Sequence, residues 1–510
     1  MSKEIYNRIA KNSLYNLLRR FLVFPVGLIL PLVVLGYIGV EGYGVWAFIQ
    51  ALVAYSTILD MGSDALTKYT AEYNAHENHP MITRLFNTLF VLYTFLFIIF
   101  FLTIFICQDW IIDVFIKTDR LAKKDISFTL VLYAAVFGIN MIFKVYPSFL
   151  NGLQRMDLTN KAEMFSVINN FIFSIFFLYI GWGIKGLAIA SGLSTLLTGA
   201  IYVGVCAKVA PYLKLNPLSF NFAMLLVVRK FIAYGAFGGI AAMAQFQLAN
   251  LIISYFLGLR YLTFYDLGQR LIFAMTGLLG SIATTIMPAA SDSYVSSGIE
   301  KIKELFQTTF KYIAMISVPA FLFTSVMADR IIFVWLGPGY EEAVFVFRFL
   351  SIAYLINVLT GPATNILTGM GLLEVPFYCG IANGVISVVL SLILVVKFGL
   401  AGIIISNMTA NIITAVYFFY YLQKKIGSPT LYTLRHLKFP LLTSMLILLI
   451  LSFIGKHIRS YHIGLLSAVI LFPITYIFIA YKNPDYGRMR DFIRRPLSIF
   501  YLLRTDVDRH

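Results

Sequence analysis

The sequence predicts an all-α polytopic membrane protein. About 14 transmembrane helices are expected, as two six-helix lobes related by an internal repeat, plus two C-terminal helices. Three observations carry this. Hydrophobic residues make up 59% of the 510 and charged residues only 13%, against roughly 25% charged in soluble domains, and the mean hydropathy is +0.82. The apolar residues collect into runs of about 20, the length that crosses the hydrocarbon core as a helix. The cations fall between those runs, where topology signals belong, so the net charge of +16 is read as orientation and attraction to anionic lipid, with no nucleic-acid partner expected.

In chain order, Arg19 and Arg20 open a first run that contains Pro25 and Pro31. It is too long for a cleaved leader and is expected to stay as the first helix. Runs at Ser13 to Tyr37, Gly42 to Leu59, Leu85 to Cys107, Ile126 to Leu150, Lys161 to Tyr179 and Gly186 to Val209 form an N-terminal lobe over residues 1–210. A cytoplasmic linker is expected at 211–230. Runs at Phe231 to Leu257, Leu262 to Pro288, Leu305 to Met327, Ala343 to Leu367, Val375 to Val396 and Gly399 to Leu422 form a second lobe over 231–425. His436 to Ile454 and Tyr461 to Tyr481 supply two additional helices within 426–481, and 482–510 is a basic cytoplasmic tail. With the N-terminus inside, 26 of the Lys and Arg residues fall on inner segments and 10 on outer ones, so both termini are expected in the cytoplasm.

A weak repeat relates the lobes, as in many carriers. A shift of 222 lays Leu35-Gly36 on Leu257-Gly258 and Tyr43 on Tyr265. A shift of 217 lays Leu150-Asn151-Gly152 on Leu367-Thr368-Gly369, and one of 216 lays Gly183 and Gly186 on Gly399 and Gly402. The nearly constant offset is the signal; no single match is.

Four cations fall inside the proposed spans: Lys144, Arg270, Lys311 and Arg348. At about 1.5 Å per residue, Arg270 lies roughly 12 Å below the outer end of its span and Lys311 about as far above an inner end. Charge is expensive there and points to function. Asp266, one turn before Arg270, is read as its orienting or coupling partner. A cavity lined by Arg270, Lys311, Arg348, Lys144, Arg19 and Arg20 suits phosphate oxygens and sugar acids. For Lys144 and Arg348, snorkelling to the interface is the competing explanation, and for Arg19 and Arg20 headgroup anchoring is. Asp60, Asp64 and Lys68 recur at spacings of four and form a candidate cytoplasmic gate, with an ordinary solvated helix end as the alternative. Three scattered cysteines hold neither a disulfide framework nor a metal spacing, and no nucleotide-binding loop occurs. No cofactor or metal is expected, and transport would draw on protons, sodium, the membrane potential or consumption of product.

Several stretches resemble a known family. Leu35-Gly36 with Glu41-Gly42-Tyr43-Gly44-Val45-Trp46, the run from Asp60 to Tyr73, Leu150-Asn151-Gly152-Leu153-Gln154-Arg155, Leu336-Gly337-Pro338-Gly339-Tyr340, and Tyr265 with Gln269-Arg270-Leu271 look like the O-antigen type (Wzx-like) polysaccharide flippases of the multidrug/oligosaccharidyl-lipid/polysaccharide (MOP) exporter superfamily. The resemblance covers roughly the whole chain through loose Gly, Tyr and Arg patterns. It implies a two-lobed carrier, acting as a monomer in the bacterial cytoplasmic membrane. The cargo would be an undecaprenyl-diphosphate-linked oligosaccharide moved from the inner to the outer leaflet, and other polysaccharide assembly proteins would be partners. A drug or cation antiporter of the same superfamily would need buried carboxylates, which here are outnumbered by cations. A polytopic glycosyltransferase or polymerase would need a larger extramembrane loop than Gln108 to Asp125. Through the repeat, Asp266 and Arg270 correspond to Gly44 and Phe48, so the charged pair belongs to one half alone, which fits a ligand or coupling site.

Overall fold

The computed structural model describes residues 3–55, 60, 62–118, 120–216, 219–229, 248–283, 286–427, 430–457 and 460–482. Every regular element among them is helical: α1 (Lys3–Ala54), α2 (Ser63–Ala75), α3 (His79–Phe115), α4 (Lys123–Phe143), α5 (Val145–Gly152), α6 (Met156–Tyr179), α7 (Gly183–Val209), α8 (222–229), α9 (Leu248–Phe256), α10 (Leu259–Ala283), α11 (Ile286–Val326), α12 (Ala328–Leu336), α13 (Glu341–Gly369), α14 (Glu374–Ile426), α15 (Thr430–His457) and α16 (Tyr461–Lys482).

Ten helices among the described residues are long and apolar enough to cross a membrane. Two of these each hold two of the expected runs. In α1 the runs meet at Gly39, which takes φ +69°; in α14 they meet at Gly399, φ +54°. The expected run at Leu262 to Pro288 falls on α10 and the start of α11. Most of the run at Phe231 to Leu257, and the basic tail beyond residue 482, lie outside the described residues. Pro25 and Pro31 sit inside α1 without ending it, as membrane helices tolerate when neighbours satisfy the freed carbonyls.

The chain divides into two compact units, Met1–Gly277 with Leu372–Phe418, and Leu278–Gly371 with Phe419–His510. In the first, α6 packs on α1 and α7, and α4 on α3 and α7. Small polar side chains cross the α6–α7 contact, where Asn170 Nδ2 donates to Ser191 Oγ at 3.2 Å and Ser194 Oγ to the Ser166 carbonyl at 2.9 Å. Such bonds hold membrane helices together where apolar burial cannot, since lipid is as apolar as the core. The linker is fastened by Asn87, buried in α3, whose amide donates to the Lys214 carbonyl and accepts from the Asn216 N–H, each at 3.0 Å. In the second unit, α11 packs on α13 and α15, and Tyr476 of α16 donates to the Met315 carbonyl at 3.0 Å. The two helices expected outside the repeat are thus attached to α11.

The weak repeat has a backbone counterpart. Gly183 (φ +52°) opens α7 as Gly399 (φ +54°) opens the second half of α14, and Gln154 (φ +58°) corresponds to Gly371 (φ +80°). Left-handed residues at matching positions place the breaks at matching points, and glycine is the residue that takes them without steric cost.

Candidate functional site

Helix α10 starts after Gly258 (φ +90°) and presents Asp266 and Arg270 one turn apart, on the side that meets α1. The helices approach closely there. Thr263 Oγ1 donates to the Val40 carbonyl at 2.7 Å, and a Cβ on Gly44 would lie 2.3 Å from the Leu259 carbonyl oxygen. Only a residue without a side chain fits.

A single carboxylate oxygen organises this contact. Asp266 Oδ2 accepts from the Tyr43 hydroxyl at 2.7 Å and from Arg270 Nε at 2.6 Å. Arg270 Nη2 also donates to Gln50 Oε1 at 3.2 Å, and its guanidinium carbon lies 5.9 Å from the Tyr43 ring centre. Tyr43 is 1% exposed, but the Arg270 side chain keeps 32% of its surface and Asp266 18%. Asp266 and Gln50 each engage one of the five guanidinium N–H donors. Held between α1 and α10 and partly exposed, the guanidinium carries the planar fork of donors that suits bidentate phosphate oxygens. The pair read from the sequence is formed; Tyr43 and Gln50, its partners on α1, were not. Two polar residues seven apart on a helix that meets α10 were the only available sign.

The other sequence-selected cations are also partnered. Lys144, at the break between α4 and α5, pairs with Asp60 Oδ2, while Asp60 Oδ1 accepts from the Tyr93 hydroxyl at 2.7 Å. The Asp60 side chain is 12% exposed. Arg19 pairs with Glu163 of α6 and donates to Asn16 Oδ1 at 3.2 Å; Arg20 donates to the Gly277 carbonyl at 3.0 Å. In the second unit, Arg348 pairs with Asp329 and donates to the Ser325 carbonyl at 3.3 Å, and Lys311 lies half-buried on α11. Asp266 is not the one carboxylate within a span: Glu163 lies in the span Met156–Tyr179 and pairs with Arg19. The gate pattern also changes. Asp60 precedes α2, which starts at Ser63, so the four-residue spacing places only Asp64 and Lys68 on that helix. Lys68 Nζ stands 4.5 Å over the Tyr69 ring.

A cavity of about 690 Å³ inside the first unit is lined by Asp60, Asp64, Lys144, Asn140, Asn151 and Glu163 among others. A second, of about 310 Å³, shares Phe137, Asn140, Ser166 and Thr195 with it and is also lined by Gln50 and Trp46. Gln50 thus joins Arg270 to a polar interior shared with the Lys144–Asp60 pair. Among the described residues no cluster of three or more His, Cys, Asp or Glu is placed to hold a metal.

The Asp60–Lys144 pair yields a prediction. Asp60→Ala leaves a cation without its carboxylate and lowers transport by about tenfold or more, whereas Asp60→Ala with Lys144→Ala recovers much of it, because the cost lies in the uncompensated charge. Equal losses in the single and double variants, measured as export at matched membrane abundance, would show that the two residues do not act as a pair.

The model of the family described as "Polysaccharide biosynthesis protein" matches residues 37–345, more than half of the chain. The chain belongs to that family. The chain is 23% identical over 413 residues to a Shigella flexneri protein described as a "Putative O-antigen transporter", covering 78% of this chain and 94% of the relative. It is 22% identical over 405 residues to a membrane protein of Methanocaldococcus jannaschii of undescribed function, covering 75% and 76%. Among solved structures it matches the lipid II flippase MurJ in an inward closed conformation (TM-score 0.71, 14% identity, 92% of this chain and 98% of that one). It also matches an inward-facing multidrug resistance MATE transporter of the MOP superfamily (TM-score 0.69, 15% identity, 80% and 94%). At these identities the likeness is one of fold.

Proposed function

We propose that this protein is a flippase that carries an undecaprenyl-diphosphate-linked oligosaccharide from the inner to the outer leaflet of a bacterial cytoplasmic membrane by alternating access. The observation that carries the reading is Arg270, a guanidinium held between α1 and α10 by Asp266 and Gln50 with 32% of its side-chain surface exposed, at a depth where a phosphate would be drawn out of water. Membership of the polysaccharide biosynthesis family supports it, as does the transporter description of the Shigella relative. Lys144, Arg19 and Arg20, in the same unit as Arg270, are assigned a supporting role toward the headgroup and acidic sugars. Protons or sodium are the candidate coupling ions. An antiporter for cationic drugs fits less well, since the exposed edge of the pair belongs to the cation and would repel such cargo.

The test is a reconstituted system. Purified protein in liposomes should move a short-chain polyprenyl-diphosphate-linked fluorescent sugar between leaflets, scored by its accessibility to an impermeant quencher. Movement of a cationic dye with none of the glycolipid would refute the assignment. For orientation, both termini are assigned to the cytoplasm, so a thiol placed at Lys123 should react with an impermeant reagent in intact cells and one at Lys301 should not. Reversal of that pattern would invert the topology.

A further inference from the structure

The Asp266 carboxylate does two things at once. One oxygen, Oδ2, receives both the Tyr43 hydroxyl of α1 (2.7 Å) and Arg270 Nε of α10 (2.6 Å). The occupancy of Arg270 and the α1–α10 contact therefore share an atom. That contact is part of a larger seam in the same unit, at the ends assigned to the outside. Thr263 Oγ1 donates to the Val40 carbonyl at 2.7 Å and Ser254 Oγ to the Phe115 carbonyl at 2.8 Å. The Phe115 ring stacks on Phe48 (5.6 Å) and meets Tyr255 (5.9 Å). Beyond it, Arg120 of the α3–α4 connection pairs with Glu41 at 3.3 Å. Most of these are neutral hydrogen bonds and ring contacts; at the depth of Arg270, the Tyr43–Asp266 and Arg270–Gln50 bonds are the ones that depend on a charge.

We infer that Tyr43 is a positioning residue that reports the ligation of Arg270 to the outer seam: an anionic headgroup that takes Arg270 displaces the Asp266 carboxylate, and with it the Tyr43 hydroxyl that ties α1 to α10. The carboxylate stands in for the ligand's phosphate and competes with it for the guanidinium. A diphosphate brings several charged oxygens against the two of a carboxylate, and charge-assisted bonds to both guanidinium edges favour it. Once displaced, Asp266 sits beside an anion of like sign, so it moves away and the Tyr43 hydroxyl loses its acceptor. A phenol that is 1% exposed does not stay there unpaired without cost, which drives the seam apart. A cargo without an anionic headgroup would leave Asp266 in place and the seam shut, so the same device selects the cargo.

The inference rests on the diphosphate reading of Arg270, and the experiment separates the two. In the full-length protein with Cys107, Cys206 and Cys379 replaced by alanine, Ser254→Cys puts a thiol at a position 1% exposed in the seam, and the probe is farnesyl diphosphate. An impermeant maleimide should label this parent slowly, and about tenfold faster with the probe bound. Tyr43→Phe should label at the fast rate without the probe and bind it at least as tightly as the parent, since opening and binding are linked. Asp266→Asn, which removes the competing charge, should bind the probe about tenfold more tightly; a merely structural aspartate would not change affinity in that direction. Slow labelling of Tyr43→Phe, or unchanged or weaker binding by Asp266→Asn, overturns the latch and leaves the transport reading intact. A parent that does not bind farnesyl diphosphate removes the transport reading, and the latch falls with it.

Discussion

Arg270→Ala is expected to abolish export of the surface polysaccharide while the protein still reaches the membrane. The side chain makes two charge-assisted contacts within the protein and, in the proposed role, donates to the diphosphate. Losing those bonds to a diphosphate, each worth about 1.5–3 kcal/mol, weakens binding by two orders of magnitude or more. Arg270→Lys keeps the charge but has no fork with which to hold Gln50 and a phosphate together, so it should retain roughly a tenth of the activity. The pair of variants separates electrostatics from geometry. Normal export by the alanine variant, at matched abundance in the membrane, would remove Arg270 from the mechanism.

The second large effect concerns the surface that carries this site. Gly44→Val adds a Cβ whose nearest neighbours would be the Leu259 carbonyl oxygen at 2.3 Å, its carbon at 2.9 Å and Thr263 Oγ1 at 2.9 Å. Two of the three are backbone, which cannot swing aside as a side-chain tip would. The helices must separate, which costs about 2–3 kcal/mol in overpacking and pulls Tyr43 away from Asp266. Gly36→Val is the control, because a Cβ there meets nothing within 4 Å. Thermal unfolding of the detergent-solubilised protein should show a clear drop for Gly44→Val and little change for Gly36→Val. Equal midpoints would mean that the α1–α10 contact is looser than described.

Much of the candidate site was legible without coordinates. Asp266 and Arg270 are four apart in an apolar run, so a helix must bring them together, and depth in the run marks them as costly. Lys144 and Asp60 were each noticed but not as partners, since 84 residues separate them and no local period joins them. Glu163 carries no local sign of its partner in the sequence, and only the packing of α6 on α1 shows that it faces Arg19. The repeat shows a different limit. Gly183 and Gly399 were aligned as letters, and their common φ near +50° is the physical reason that both are glycine.

Composition, run length and the placement of cations determined by themselves that the chain is helical and crosses a membrane many times. These are one-dimensional properties: the bilayer penalises charge and unpaired backbone wherever they occur, so they leave their mark on the sequence directly. The tertiary structure alone decided which counter-charge each cation meets, that one oxygen of Asp266 serves both Arg270 and Tyr43, and that α1 and α10 touch through a glycine. Such contacts join residues more than 200 positions apart, and their energies depend on distances of a few tenths of an ångström, which no local pattern encodes.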